Sequence, residues 1–240
     1  NRIKQLKLPK NIEKINKSAF MTNQIEILDL SNCINLNIIS ECAFDENQIK
    51  QLKLPENIEI IDDYAFCENK IELLDLSNCI NLKTIKNWSF SYNQIKELKL
   101  PQNIENIEIG TFRKNQIEML DLSNYINLKI IDIRTFENNT IKELKLPKNI
   151  EIIEYSAFEN NQIESLDLSN YIKLKYIKYY AFSENPLTEI KILNDININY
   201  EPNVDWKYDV WNKFVKYYND NGKKSGDYKY ENDEWKWYLL

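Results

Sequence analysis

The apolar positions of this chain follow a rule that restarts every 46 residues. The run Ile3-Lys4-Gln5-Leu6-Lys7-Leu8-Pro9 returns at Ile49, Ile95 and Ile141. A sister run, Ile25-Glu26-Ile27-Leu28-Asp29-Leu30-Ser31, returns at Ile71, Ile117 and Ile163. Together they divide residues 3–186 into eight units of alternating 22 and 24 residues. Each run predicts a short strand, closed by Pro9 or by Ser31-Asn32 as a turn. A second apolar pair follows, Ile12 and Ile15 or Leu36 and Ile39, and then a small residue with Phe. That pair reads Ala19-Phe20, Ala43-Phe44, Ala65-Phe66, Ser89-Phe90, Thr111-Phe112, Thr135-Phe136, Ala157-Phe158 and Ala181-Phe182, and an Asn stands three residues past each Phe, from Asn23 to Asn185.

A unit this short cannot bury its apolar face alone, so neighbours must stack. Stacking in register brings equivalent residues about 4.8 Å apart, as in parallel strands. Eight of the nine Phe then form one internal column, and the Asn column is expected to bond the backbone of the next coil at the bend. The register also pairs charges. Between the strand leucines stand Lys7, Asp29, Lys53, Asp75, Lys99, Asp121, Lys145 and Asp167; after the first Ile stand Lys4, Glu26, Lys50, Glu72, Lys96, Glu118, Lys142 and Glu164. The second strand runs mostly in reverse phase, through Glu13, Asn37, Glu59, Lys83, Glu105, Lys129, Glu151 and Lys175. Each charge is expected to face opposite charges on both neighbouring coils, which explains why the repeat is doubled.

The shorter unit, IKELKLPKNIEIIEYSAFENNQ at 141–162, resembles the Treponema or BspA-like class of bacterial leucine-rich repeat in its Pro, its Ala-Phe pair and their spacing. The likeness covers residues 3–186. It departs from the class in having Asn where Cys is frequent after Phe, and polar residues where Gly is common after the second-strand Ile. The resemblance implies a leucine-rich repeat solenoid, β-rich and right-handed, with surface or secreted placement in bacteria, binding to host or neighbouring-cell proteins, and no catalysis.

Beyond Pro186 the repeat fades. Leu187 to Ile192 reads as a ninth strand. Val210, Trp211, Phe214, Val215 and Tyr218 give a helix near 207–219. Tyr228-Lys229-Tyr230 and Trp235-Lys236-Trp237, joined through Glu231 to Glu234, give a hairpin. The expected organisation is a repeat region, 1–186, and a C-terminal capping segment, 187–240. The segment holds four of the five Trp (206, 211, 235 and 237), so an aromatic platform for sugars or cell-wall polymers is the alternative to a cap.

Composition narrows the function. Of 240 residues 43% are hydrophobic and 28% charged, enough apolar content for a core, while a net charge of -6 argues against a nucleic-acid partner. No run approaches a membrane span, no signal peptide opens the chain, and the first residues already belong to a repeat, as in a mature or trimmed fragment. There is no His, and three Gly (110, 222 and 226) exclude a P-loop or a nucleophile elbow. No enzyme activity, cofactor or metal is expected. Cys33 and Cys79 share a slot two units apart, too far to pair, whereas a Cys42–Cys67 bridge stays conceivable beside free thiols.

Binding is best sought where repeats disagree. The slot before each small-Phe pair reads Ser18, Cys42, Tyr64, Trp88, Gly110, Arg134, Ser156 and Tyr180, preceded in later units by Ile109, Ile133, Tyr155 and Tyr179. Its variation is read as exposure, which makes Tyr64, Trp88, Arg134, Tyr155, Tyr179 and Tyr180 candidate anchors. Competing with them are Ile27, Leu73 and Met119, apolar knobs on the charged strand face. The expected role is protein recognition by an adhesin-like monomer. The alternative is end-to-end assembly through the unpaired edge of the N-terminal coil.

Overall fold

The computed structural model describes residues 2–193, 195–199 and 209–239. Strands alternate along the chain between two rows. The early coils give β1 (Lys14–Ile15), β2 (Ile27–Asp29), β3 (Ile38–Ile39), β4 (Gln51–Lys53), β5 (Ile60–Ile61), β6 (Leu73–Asp75), β7 (Thr84–Ile85) and β8 (Glu97–Lys99). The later coils give β9 (Asn106–Ile107), β10 (Met119–Asp121), β11 (Ile130–Ile131), β12 (Glu143–Lys145), β13 (Ile152–Ile153), β14 (Ser165–Asp167), β15 (Tyr176–Ile177), β16 (Glu189–Ile192) and β17 (Asn197–Ile198). The helix α1 (Val210–Asp220) and a hairpin of β18 (Gly226–Glu231) and β19 (Glu234–Tyr238) follow. Odd strands pair in parallel as sheets of five and four, and even strands pair in parallel with partners one coil away. The structure is a leucine-rich repeat solenoid.

Inside, the phenylalanines form the expected column. Successive rings from Phe20 to Phe182 lie 5.3 to 6.0 Å apart, inclined by 6° to 16°. Seven are fully buried, and only Phe20, on the first coil, is partly open. Each Asn makes the polar counterpart, with one correction of direction: it reaches the preceding coil. Asn115 Oδ1 accepts the Ile95 N–H at 3.0 Å, and its Nδ2 donates to the Phe90 carbonyl of that coil and the Phe112 carbonyl of its own. Asn47, Asn69, Asn93, Asn139, Asn161 and Asn185 repeat the arrangement. One side chain per coil thus satisfies a donor and an acceptor of a bend that no strand could reach.

The turn around Phe is itself a backbone ladder. The amides of Ser18, Phe20 and Thr22 donate to carbonyls of Glu41, Ala43 and Asp45, and the same three steps recur along the stack. To aim alternate amides along the axis, the chain takes φ between 51° and 62° at two positions per coil, for example Tyr64 and Glu68, Trp88 and Tyr92, Gly110 and Lys114. The polar residues that replace the class's usual Gly, such as Asp62 and Lys86, lie outside these left-handed positions.

The C-terminal segment closes the stack. β18 pairs antiparallel with β16, and its hairpin turn places Asn232 and Asp233 at positive φ, the primed geometry that matches strand twist. The helix begins at Val210, capped by Asp209, whose side chain accepts the Asn212 amide. The expected start at 207, and Trp206, lie outside the described residues. Trp211 meets the end ring of the column, Phe182, edge-on at 5.0 Å, and Phe214 packs against Tyr228 and Trp235. These aromatics face inward: Trp211 and Trp235 are 1% and 4% exposed. That placement corrects the platform reading for both.

Candidate functional site

The even strands present a face of charged and apolar side chains whose order is set by the sequence doubling. β2 is ladder-bonded to β4, β6 to β8 and β10 to β12, but the lysine strand of each pair is not joined by a ladder to the acidic strand after it; the first such gap carries a single bridge, Gln5 to Ile27. The ion pairs follow the ladders. Lys50 meets Glu26, Lys53 meets Asp29, Lys96 meets Glu72, Lys99 meets Asp75, Lys142 meets Glu118 and Lys145 meets Asp121, at 3.0 to 3.9 Å. Every pair of this row joins a lysine to the acidic strand before it. In the second row the lysine instead precedes its acid, in Lys83–Glu105 and Lys129–Glu151, and both pairs again lie inside the same couples. Pairing on both sides was the expectation; one-sided pairing is the finding.

The cause is local. Each aspartate ends its strand in a turn where Oδ1 accepts both the amide and the hydroxyl of a serine two residues on, as Asp121 does from Ser123. The serine bonds hold the carboxyls of Asp29 and Asp75 below the usual range and that of Asp121 at about 2. The remaining oxygen, Oδ2, takes the lysine on the ladder side.

The unladdered gaps are therefore shallow clefts. One of 790 Å³ lies between Lys4, Leu6, Lys7 and Glu26, Ile27, Asp29; one of 470 Å³ lies between Lys50, Leu52, Lys53 and Leu73, Asp75. A third, of 770 Å³, is lined by Lys96, Leu98, Lys99, Glu118 and Met119. Their floors are apolar: the central Leu of each lysine strand (Leu6, Leu52, Leu98, Leu144) is half-exposed, whereas its counterpart in each acidic strand (Leu28, Leu74, Leu120, Leu166) is buried. At their rims stand the three knobs, Ile27, Leu73 and Met119, exposed by 59%, 49% and 70%. The fourth position is Ser165.

Sequence reasoning missed a second row in the same register. Ile34, Ile80, Ile126 and Ile172, on the turns after the acidic strands, are 53% to 81% exposed. The carbonyls of the first three are gripped by Asn57, Asn103 and Asn149 of the next coil. Their 46-residue spacing was the available signal.

The slot before the small-Phe pair behaves differently from the expectation. Its members share a left-handed backbone, not exposure: Gly110 and Ser156 are buried, Cys42, Trp88 and Tyr180 half-buried, Tyr64 and Arg134 exposed. The position varies because its task is performed by the backbone. Tyr64 stacks on Trp88 at 6.4 Å, and the indole lies where a Cβ on Gly110 would come within 2.3 Å of it. Arg113, also missed, sits 5.7 Å over that indole and 5.8 Å over Tyr92, and its guanidinium grips Glu137, which Arg134 approaches at 3.5 Å. Tyr155, Tyr179 and Tyr180 form a separate tilted cluster. The slot residues thus fall into two groups, neither joined to the knob row.

The four cysteines are free; Cys42 and Cys67 are unbridged, and burial pushes the Cys67 thiol up to about 12 while its sulfur contacts Ser91 at 3.2 Å. Among the described residues no cluster of acids and thiols is arranged to hold a metal, and no helix is long and apolar enough to cross a membrane.

The model of the BspA type leucine rich repeat region matches in six copies, over residues 13–128 and 112–201. No curated protein sequence matches the chain. Among solved structures, YopM, a leucine-rich effector protein from Yersinia pestis, is 21% identical with a TM-score of 0.51, covering 82% of this chain and 65% of its own. YopM from Yersinia enterocolitica is 17% identical with a TM-score of 0.41, covering 74% and 50%. The chain thus spans less than two thirds of either, and the likeness is one of fold.

Proposed function

Since the chain belongs to the BspA-type leucine-rich repeat family, we propose that it is a non-enzymatic, adhesin-like recognition module of the bacterial surface or secreted space, which binds a protein of a host or neighbouring cell. Leucine-rich repeats serve protein interaction, and here the even-strand face is the surface fitted for it. The observation that carries the reading is the placement of Ile27, Leu73 and Met119, large apolar side chains held more than half or nearly half exposed within a row whose charges cancel. Large apolar groups exposed on a face whose charges are already paired with one another are the kind that become buried anchors in an interface.

An array of host-surface and matrix proteins, probed with the labelled chain, tests this. Capture of defined array members is expected, and Leu73→Gln with Met119→Gln should abolish it while leaving the melting curve unchanged. Capture that ignores both changes would remove the face from the function. Assembly by end-to-end stacking is the lesser reading, because Trp211 of α1 packs edge-on over Phe182, the last ring of the phenylalanine column, where a second copy would have to stack. The protein is taken as a monomer.

A further inference from the structure

The turn after each acidic strand holds one position that changes identity halfway along the stack: Cys33 and Cys79, then Tyr125 and Tyr171. Where it is tyrosine, the phenol reaches one coil back, to the residue that follows the lysine strand. Tyr125 Oη accepts the Leu100 amide at 3.2 Å, and Tyr171 Oη accepts the Leu146 amide at 3.0 Å. These amides need such a partner. Lys99 gives its carbonyl to Leu76 inside the ladder, so the next amide, that of Leu100, points the other way, towards the cleft. With the phenols in place, Leu100 and Leu146 are 3% and 1% exposed.

At Cys79, which has described coils on both sides, the side chain stops short. Its thiol contacts the Pro55 carbonyl at 3.7 Å, and among the described residues no hydroxyl reaches the amide of Leu54, the counterpart of Leu100. Leu54 is only half-buried. The clefts differ accordingly. The one of 470 Å³ runs down to Leu54, Asn78 and Cys79, whereas neither Leu100 nor Tyr125 lines the one beside Met119. A hollow of 350 Å³ continues from Leu54 past Pro55 to Ile34. An amide open to water costs nothing, but a partner that covers it must bring an acceptor or leave it unpaired.

Resting on the recognition reading above, we infer that the pocket at Leu54 and Cys79 takes a tyrosine side chain of the protein partner. The chain itself supplies the template, since Tyr125 and Tyr171 show that a phenol fits between these turns and meets this amide. The partner's phenol oxygen accepts the Leu54 N–H, and its ring lies over Leu52 and Leu54. Ile34 and Leu73, which line the two hollows and are 63% and 49% exposed, meet the rest of the partner's surface. Phenylalanine would cover the same leucines and strand the amide. Tyrosine joins a large apolar ring to a polar tip, the combination enriched among interface anchors.

Nitrogen-15 labelling of the leucines in the intact chain tests it, because Leu54, Leu100 and Leu146 then report side by side. N-acetyl-tyrosinamide is expected to shift the Leu54 amide saturably, with a Kd in the millimolar range for so small a probe, and to leave the other two unmoved. N-acetyl-phenylalaninamide should bind about fivefold more weakly, the worth of one hydrogen bond. Cys79→Tyr fills the pocket from within: it should raise the melting temperature, abolish the shift at Leu54 and lower array capture at least about tenfold. Cys79→Ala should keep both the shift and the capture, which separates the space from the thiol. A Cys79→Tyr chain that is destabilised, or that still captures the same array members, overturns the proposal, as does equal binding of the two amides. If tyrosinamide leaves Leu54 unmoved while capture still depends on Leu73 and Met119, the tyrosine pocket is wrong and the recognition face stands. If capture is independent of them as well, both fall.

Discussion

The Phe–Asn side of each coil and its even-strand side are built from the same repeats yet obey different periods. Around the phenylalanines the structure repeats every coil: the same ring stack, the same amide bridge, the same left-handed turn, whether the unit has 22 or 24 residues. On the strand side it repeats every second coil, in ladders, ion pairs, clefts and knobs. The difference follows from what each side must satisfy. A buried bend needs its polar groups paired at every step. An exposed strand has water for a partner, so its pairing can be distributed unequally and leave room for a ligand.

The comparison predicts a steep gradient of mutational cost. The largest effect should come from the ring column. Phe112 is fully buried between Phe90 and Phe136, and Phe112→Ala is expected to cost about 3–5 kcal/mol in urea melts. A loss near that of a surface change would mean the column is not the core. Next comes Asn115→Ala, which strips partners from the buried Ile95 amide and the Phe90 carbonyl. About 2–3 kcal/mol is expected, with the Ile95 amide losing its protection in hydrogen exchange.

One carboxylate sits on the wrong side of this division. Asp45 follows Phe44 in the buried turn, and burial, then the nearby Glu46 and Glu68, raise its pKa to about 6. A carboxyl whose folded value exceeds its unfolded value of about 3.9 contributes stability fully below the lower figure, and that contribution is lost as pH rises through about 6. Asp45→Asn stays neutral throughout. Its melting temperature should exceed the parent's at pH near 7, and the gap should close towards pH near 4. A constant gap would show that shape, not ionisation, separates the two proteins.

How much of this was readable in advance divides along the same line. The Phe and Asn columns could be placed from the sequence because one residue type recurs in all eight units and chemistry leaves it one environment. The slot misled because variation can mean freedom of the side chain with the backbone fixed. Gly110, the one glycine within the repeats, marked the left-handed turn, but its partner Trp88 comes from the preceding coil, and only the register shows them touching. The one-sided ion pairing was illegible for a related reason: a lysine between two acidic coils looks symmetric in a string of letters. The serine turns and the interrupted ladders break that symmetry in space. The exposed isoleucines from Ile34 to Ile172 were visible as a period, but their orientation was not.

The smallest expected effect gives the sharpest test of the strand side. Lys99 and Asp75 are well exposed at 3.4 Å, and such pairs contribute less than about 1 kcal/mol, so Lys99→Glu should be a minor change that fades in high salt. Its direction is what matters. In a double-mutant cycle at low salt, Lys99→Glu with Asp75→Lys should recover the single-mutant losses, because the reversed charges meet again across the β6–β8 ladder. The same lysine change with Asp121→Lys should show no coupling, since β10 lies across the open cleft and Asp121 is held by Lys145. Equal coupling to both aspartates would close the clefts and restore a row that repeats at every coil.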